Sequence, residues 1–283
     1  MTRPVVQPFL HEQSSTWTYV VHDGRAAAII DPALDFDGHS GKARTASAEA
    51  VAGFVEAAGL TVEWILETHA HADHLSAAPF LRQQVGGRIA IGEGIRKVQA
   101  TFKDLLNLEP GFATDGRQFD HLFRDGEEFA VGSLAGRVIP TPGHTSDSVT
   151  YLIGDAAFVG DSLFMPDGGT ARCDFPGGDA AVLYASIQRL YSLPAETRVF
   201  VCHDYGPGGR ERRCETTIAA ERAGNIHVRD GVSEQEFVAL RTKRDATLAV
   251  PELLYPSVQV NVRAGQLPPP ESNGRRYLKL PVM

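Results

Sequence analysis

The sequence has few cysteines and no long apolar segment. Its three cysteines are Cys173, Cys202 and Cys214, and none belongs to a C-x-x-C pair. An odd number in a chain of 283 residues is typical of a reducing compartment and argues against a disulfide framework. No apolar run approaches the roughly 20 residues of a membrane-spanning helix, and residues 1–11 lack the apolar core of a secretory signal. We therefore expect a soluble, cytoplasmic protein with no membrane partner.

The chain also lacks an excess of positive charge. It has 27 lysines and arginines against 35 aspartates and glutamates, a formal net charge of −8. Without a global positive field, no nucleic-acid partner is expected. The hydrophobic fraction of 43% and the charged fraction of 22% are those of a globular protein with a large core. These values exclude the collagenous and disordered classes.

Predicted strands alternate with predicted helices along the chain, which indicates a layered α/β domain. The segments 16–22 and 26–31 are rich in Val, Ile and Ala and flank the turn signal Asp23-Gly24, so they predict a hairpin at the start of the chain. Further strands are predicted at the segments 62–68, 136–141, 148–153, 156–159 and 198–203.

Helices are predicted where apolar residues recur at helical spacing. The predicted segments include 47–58, with Ser47 as N-cap, 75–85, 94–106, 179–193, 212–223 and 233–243. We predict one domain over residues 1–283, with an insertion at about 94–125 and a C-terminal extension at about 210–283. Much of the insertion, from about residue 109 onward, is predicted to be a loop of the length that is usually functional or mobile.

A dense polar cluster follows the predicted strand at 62–68. The cluster is Thr68-His69-Ala70-His71-Ala72-Asp73-His74. Its residues 69–74 contain three imidazoles and one carboxylate. Ordinary solvated loops rarely have this composition, and imidazole with carboxylate is the ligand set that zinc and iron prefer. The cluster therefore predicts a metal site.

Three more polar residues follow predicted strands, namely His144, Asp161 and His203. Each histidine alone is more typical of a hydrogen-bonded structural residue. Together with the first cluster they predict convergence, because side chains that follow several strands can meet at one edge of a pair of sheets.

These motifs resemble the metallo-β-lactamase superfamily, whose pattern is H-x-H-x-D-H followed by a His, a bridging Asp and a last His. All seven positions are present in order: His69, His71, Asp73, His74, His144, Asp161 and His203. The resemblance implies an αββα sandwich with the metal site at one edge between the two sheets. It does not decide the activity, because the scaffold hosts hydrolases, nucleases and oxygenases.

Within the superfamily, the local motifs look most similar to those of the persulfide dioxygenases. The resemblance is carried by segments 68–74, 160–163 and 172–175, by His203-Asp204-Tyr205 and by the tail segment 260–265. Glyoxalase II is the nearest rival, and it usually has a Glu between the last His and the Tyr, where this chain has Asp204. The long insertion and tail depart from compact dioxygenases and resemble a longer bacterial subgroup.

The dioxygenase resemblance implies one Fe(II) per chain, bound by His69, His144 and Asp161. Two imidazoles and one carboxylate leave open positions where O₂ and a substrate can bind side by side. The implied reaction oxidises glutathione persulfide with O₂ to sulfite and glutathione, as in hydrogen sulfide detoxification. The remaining four residues, His71, Asp73, His74 and His203, then hold ligands or substrate by hydrogen bonds.

A second interpretation uses the same seven residues to hold two metals, with Asp161 bridging them and a metal hydroxide attacking a glutathione thioester. The number and identity of the metals stay open at this point, as does the oligomeric state. A homodimer is a common assembly for this family and for soluble proteins.

Arg172 and Tyr205 are the candidate substrate-binding residues. By resemblance, Arg172 grips a glutathione carboxylate with two parallel hydrogen bonds, and the competing interpretation is an ion pair with Asp174. The basic residues near Arg210 are expected to form a solvated helix start. Cys173 is expected to be a small residue packed beside the site, because no acid or base partner is specified for its thiol.

Overall fold

A computed structural model describes residues 3–282 of the chain. Two six-stranded sheets form its centre. The first sheet contains, in spatial order, β1 (Val5–His11), β2 (Thr16–His22), β3 (Ala26–Ile30), β6 (Thr61–Leu66), β8 (Arg88–Gly92) and β9 (His121–Phe123). The second contains β10 (Glu128–Val131), β11 (Leu134–Pro140), β12 (Val149–Ile153), β13 (Ala156–Phe158), β14 (Arg198–Phe200) and β15 (Glu215–Thr217). A small sheet joins β5 (Lys42–Arg44), β4 (Ala33–Asp37) and β7 (Leu75–Ser76).

Helices cover the outer faces of both large sheets. They are α1 (Ala46–Ala57), α2 (Ala78–Val85), α3 (Ile95–Leu105), α4 (Ala180–Tyr191), α5 (Ile218–Gly224), α6 (Glu234–Asp245) and α7 (Leu254–Asn261). One apolar cluster packs the first sheet against α1, α2, α3 and α7, and another packs the second sheet against α4, α5 and α6. A third fills the space between the sheets. This αββα order confirms the predicted sandwich.

The predicted opening hairpin is confirmed as β2 and β3, which pair antiparallel. Asp23 Oδ1 accepts hydrogen bonds from the backbone N–H groups of Arg25 and Ala26, both at 2.9 Å. Gly24 has a φ of 98°, a left-handed value that L side chains rarely adopt. The turn residues therefore impose the hairpin locally. The strand β1, which precedes the hairpin and pairs with β2, was not predicted from the sequence.

Several predicted element bounds are wrong because tertiary contacts override local spacing. The helix predicted from residue 75 begins only at Ala78, since Leu75 and Ser76 pair with β4. The segment from residue 212 is not helical at first, because residues 215–217 pair with β14 and α5 starts after them. Ser47 does not cap α1, because its backbone N–H and hydroxyl donate to Asp35.

The predicted insertion and the predicted tail contact each other. The insertion contains α3 and β9, so part of the predicted loop is a strand of the first sheet. Gln99 donates to the carbonyl of Val262 at 2.9 Å, and Arg263 forms an ion pair with Glu109 at 2.7 Å. The tail thereby packs back on the domain. No helix within residues 3–282 is long and apolar enough to cross a membrane.

Candidate metal centre

The histidine-rich loop directly follows β6 at the edge of the first sheet. Asp31, which follows the neighbouring strand β3, accepts hydrogen bonds from the Thr68 backbone N–H at 2.7 Å and from its hydroxyl at 2.9 Å. Asp147 accepts one from the Ala70 N–H at 2.9 Å. These bonds hold the loop backbone and turn its imidazoles inward, where His69, His71 and His74 are all buried.

The second sheet supplies the other residues from the same edge. The strands β11, β13 and β14 run in one direction, since β11 and β13 each pair antiparallel with β12 and β14 runs parallel to β13. His144, Asp161 and His203 lie just beyond their carboxyl ends. Thr16, at the start of β2, forms a bridge with His203 that joins the two sheets. All seven predicted residues therefore lie at one edge of the sandwich.

Three of the seven form a compact group that could hold a metal ion. The ligand atoms of His69, His144 and Asp161 all lie within 4.8 Å of one another. Asp161 Oδ2 is 3.4 Å from His144 Nε2 and 3.9 Å from His69 Nε2. Two imidazoles and one carboxylate are the donor set of non-haem iron sites with open positions.

The donor atoms at this edge are suited to a cation. Four buried atoms of the seven candidate ligand residues have no hydrogen-bond partner within residues 3–282: His69 Nε2, His71 Nδ1, His74 Nε2 and Asp161 Oδ1. Buried polar atoms in folded proteins are rarely left without a partner unless an ion or water serves them. Burial also lowers the pKa of His69 well below its ordinary value, with the neighbouring His71 and His144 as smaller causes. His69 is therefore neutral and offers a lone pair.

Outer hydrogen bonds orient two of these imidazoles. His144 Nδ1 donates to the backbone carbonyl of Arg172 at 2.6 Å, which leaves Nε2 free to face Asp161. His71 Nε2 donates to Asp31 Oδ1 at 3.0 Å and leaves Nδ1 unpartnered. Metal-binding histidines usually make this kind of bond to a carbonyl or carboxylate on the side away from the metal.

The remaining residues are arranged differently. Asp73 Oδ2 accepts hydrogen bonds from the Thr16 hydroxyl and from His74 Nδ1, both at 3.1 Å. His71, Asp73 and His74 form a second group of possible ligands, but within the described part of the chain no such group unites Asp73 and His74 with His203. His203 Nε2 instead lies 3.4 Å from Asp161 Oδ1 and 3.6 Å from Asp73 Oδ2.

Asn261 is a site residue that sequence reasoning missed. Its Nδ2 donates to the carbonyls of His71 and His74, at 2.8 and 2.9 Å, and its Oδ1 accepts from the Ser76 N–H at 2.8 Å. The tail helix α7 thus clamps the histidine-rich loop. The sequence of the tail segment 260–265 resembles that of the dioxygenases, but its residues alone do not indicate that the Asn261 amide contacts the histidine-rich loop.

A cavity of about 300 Å³ opens beside the centre, and it is lined by His144, Asp161 and His203. Tyr205 lies in its wall with its ring stacked 5.8 Å from that of His203. Arg172 lies in the wall too, with its guanidinium bidentate to Asp174 at 2.6 and 2.7 Å. Its Nη1 donates to the carbonyl of Ala249 at 2.6 Å. Arg172 therefore lines the cavity, as a substrate-binding residue would, and also forms the ion pair with Asp174 that the alternative interpretation predicted.

The other basic and sulfur side chains have structural contacts. The prediction that Arg210 lies in a solvated helix start is wrong. The next helix, α5, begins only at Ile218, and Arg210 binds the carboxylates of Asp204 and Asp167. Cys173 is buried, and its backbone N–H donates to Asp245 at 2.9 Å. Burial raises the pKa of its thiol to about 12, so it is a packed thiol and not a nucleophile at neutral pH.

The sandwich and its edge define a metal-binding enzyme fold of the αββα class. The sequence profile of the metallo-beta-lactamase superfamily matches residues 12–203. The chain belongs to the metallo-beta-lactamase superfamily.

Similar proteins have several different names. A probable metallo-hydrolase of Burkholderia pseudomallei is 52% identical over 98% of each chain, and the glyoxylase B2 of Dictyostelium discoideum is 48% identical over 98% of this chain and 96% of that one. The mitochondrial persulfide dioxygenase ETHE1 of Bos taurus is 28% identical over 94% of this chain and 91% of that one. The chain spans 65% of the beta-lactamase hydrolase-like proteins of Xylella fastidiosa, to which it is up to 54% identical.

The crystal structure of ETHE1 from Myxococcus xanthus has a similar fold. It has a TM-score of 0.72 and 32% sequence identity, over 93% of this chain and all of that one. The likeness covers more of the chain than the matched superfamily region of residues 12–203.

Proposed function

We propose that this protein is a glutathione-dependent persulfide dioxygenase with one Fe(II) per chain. The observation that carries the proposal is the group of His69, His144 and Asp161, which offers two imidazoles and one carboxylate beside an open cavity. The likeness to ETHE1 proteins supports the same activity. A bound Fe(II) would supply adjacent coordination positions for the persulfide sulfur and O₂.

The residues of the chain have distinct roles in this proposal. His69, His144 and Asp161 hold the metal, and the Arg172 carbonyl keeps His144 in the tautomer that presents Nε2. His71, Asp73, His74 and His203 surround the centre and hold ligands or substrate by hydrogen bonds. Arg172 and Tyr205 form the cavity wall against which the glutathione part of the substrate packs.

The overall reaction balances with one water. Glutathione persulfide, O₂ and H₂O give glutathione and sulfurous acid, which ionises to sulfite near neutral pH. The terminal sulfur is oxidised, O₂ is reduced, and the bond between the two sulfur atoms breaks. No external electron donor is needed, so the cavity has to admit only the persulfide, O₂ and water.

A second candidate is a two-metal thioester hydrolase. It is favoured by the distance of 3.4 Å between His203 Nε2 and Asp161 Oδ1, because a second metal held by His203 would also need an oxygen of Asp161. The name of the metallo-hydrolase at 52% identity favours it too. All seven residues would then hold two metals, which would supply a hydroxide for attack on the thioester carbonyl.

Elemental analysis of protein purified without added metal tests the proposal. We expect about one iron per chain and little zinc, because a triad with open positions suits a redox-active metal. Two zinc ions per chain, in protein with full hydrolytic activity, would contradict the dioxygenase and support the second candidate.

A further inference from the structure

We propose that Arg244, in the wall of the cavity, binds a carboxylate of the substrate and selects persulfides that carry such a group. The inference rests on the proposed function, because it assigns the substrate-recognition role at that same site. It starts from the charges in the cavity wall.

Three arginines line the cavity: Arg172, Arg241 and Arg244. The charge of Arg172 is balanced by its bidentate pair with Asp174. The charge of Arg241 is balanced by Asp245, and its side chain is only 1% exposed. These two arginines are therefore already neutralised within the protein.

Arg244 differs from the other two. It lies in the last turn of α6 and is exposed, and within residues 3–282 its side chain takes part in no hydrogen bond or ion pair, since only its backbone carbonyl accepts from Thr247. It is thus the cation of the cavity wall without a protein counter-charge. A guanidinium fork can bind a carboxylate through two parallel hydrogen bonds.

The position of Arg244 suits a substrate with separated ends. The candidate metal ligands His144 and Asp161 line the same cavity as Arg244, Leu248 and Ala249. The cavity volume of about 300 Å³ is at the lower end of small-molecule sites, roughly 300–1,000 Å³. A persulfide with its sulfur at the centre can extend its remote carboxylate toward this cation.

The first test measures binding without turnover. Isothermal titration with S-methylglutathione uses a ligand that keeps both carboxylates and cannot form a persulfide. We expect Arg244→Ala to raise the Kd about tenfold, as loss of one charged hydrogen-bonding contact predicts, and Arg244→Lys to recover part of the affinity. Lys243→Ala is the matched control, because Lys243 is the preceding residue of the helix, is exposed and does not line the cavity.

The second test compares two substrates. The ratio of kcat/KM for glutathione persulfide to that for a neutral persulfide, 2-hydroxyethyl persulfide, should fall about tenfold in Arg244→Ala and stay constant in Lys243→Ala. An unchanged Kd and an unchanged ratio in Arg244→Ala would overturn the assignment, as would a wild-type protein that does not bind S-methylglutathione. If the binding result holds but no O₂ is consumed, the dioxygenase proposal fails while Arg244 keeps its binding role.

Discussion

The two halves of the seven-residue set differ in what their carboxylates already contact. Around His69, His144 and Asp161, outer hydrogen bonds leave lone pairs free and directed at one another. In the other half, Asp73 Oδ2 already accepts bonds from Thr16 and His74. The carboxylates of the two halves are therefore not equivalent, although His71 Nδ1 and His74 Nε2 in the second half are as unpartnered as His69 Nε2 in the first.

The largest expected effect comes from exchanging one carboxylate in each half. On the proposed function, Asp161→Asn should lose the iron and lower the dioxygenase activity by about a hundredfold or more, because it removes the only carboxylate of the triad. Asp73→Asn should keep most of the iron. Metal content per chain, measured by mass spectrometry beside O₂ uptake, checks both variants. Equal metal loss in the two variants would break the distinction between the halves.

A smaller effect is expected from the clamp that Asn261 forms on the histidine-rich loop. Asn261→Ala leaves three buried backbone groups without their bonds, so we expect the free energy of unfolding to fall by about 3 kcal/mol and iron retention to weaken. Urea unfolding of the metal-free protein and an iron-release assay measure the two effects.

The matched control for this clamp is Asn273→Ala, since Asn273 is exposed and lies in the tail. It should leave both quantities unchanged. Unaltered stability and unaltered iron retention in Asn261→Ala would show that the loop is held by its own bonds to Asp31 and Asp147.

The smallest expected effect is a pH dependence of stability that originates in helix α5 and not at the candidate metal centre. Burial raises the pKa of Glu221 in α5 to about 8, while the unfolded carboxyl titrates near 4.5. Between these values the folded state binds one more proton, so the free energy of unfolding falls as pH rises, by at most about 1.4 kcal/mol per pH unit. Glu221→Gln should remove this dependence, because the amide does not titrate.

Denaturation at pH 6 and at pH 7, between which the expected loss is at most about 1.4 kcal/mol, measures the slope. Glu211→Gln serves as control, since Glu211 is exposed and should not alter it. If Glu221→Gln and wild type have the same slope, the alkaline loss of stability originates elsewhere. Iron content should be equal in all three proteins, because Glu221 does not contact the centre.

The parts that could be predicted are those with local causes. The hairpin at Asp23-Gly24 follows from turn chemistry, and the convergence of His69, His144 and Asp161 follows from strand ends that share one edge. The contacts of Asn261 with the histidine-rich loop and of Arg172 with the Ala249 carbonyl could not be predicted, because each depends on tail residues that fold back across the domain. Tertiary pairing also explains why residues 215–217 form a strand where helical spacing predicted a helix, because they pair with β14.

Oxygen consumption tests the central claim most directly. Purified protein is given glutathione persulfide in an oxygen electrode and, separately, S-lactoylglutathione in an absorbance assay under air and under nitrogen. The account predicts one O₂ consumed per persulfide, sulfite as product, no persulfide turnover without oxygen, and almost no thioester hydrolysis, because one metal cannot form the two-metal clamp. Rapid thioester hydrolysis that persists under nitrogen, with no oxygen uptake on persulfide, would contradict it.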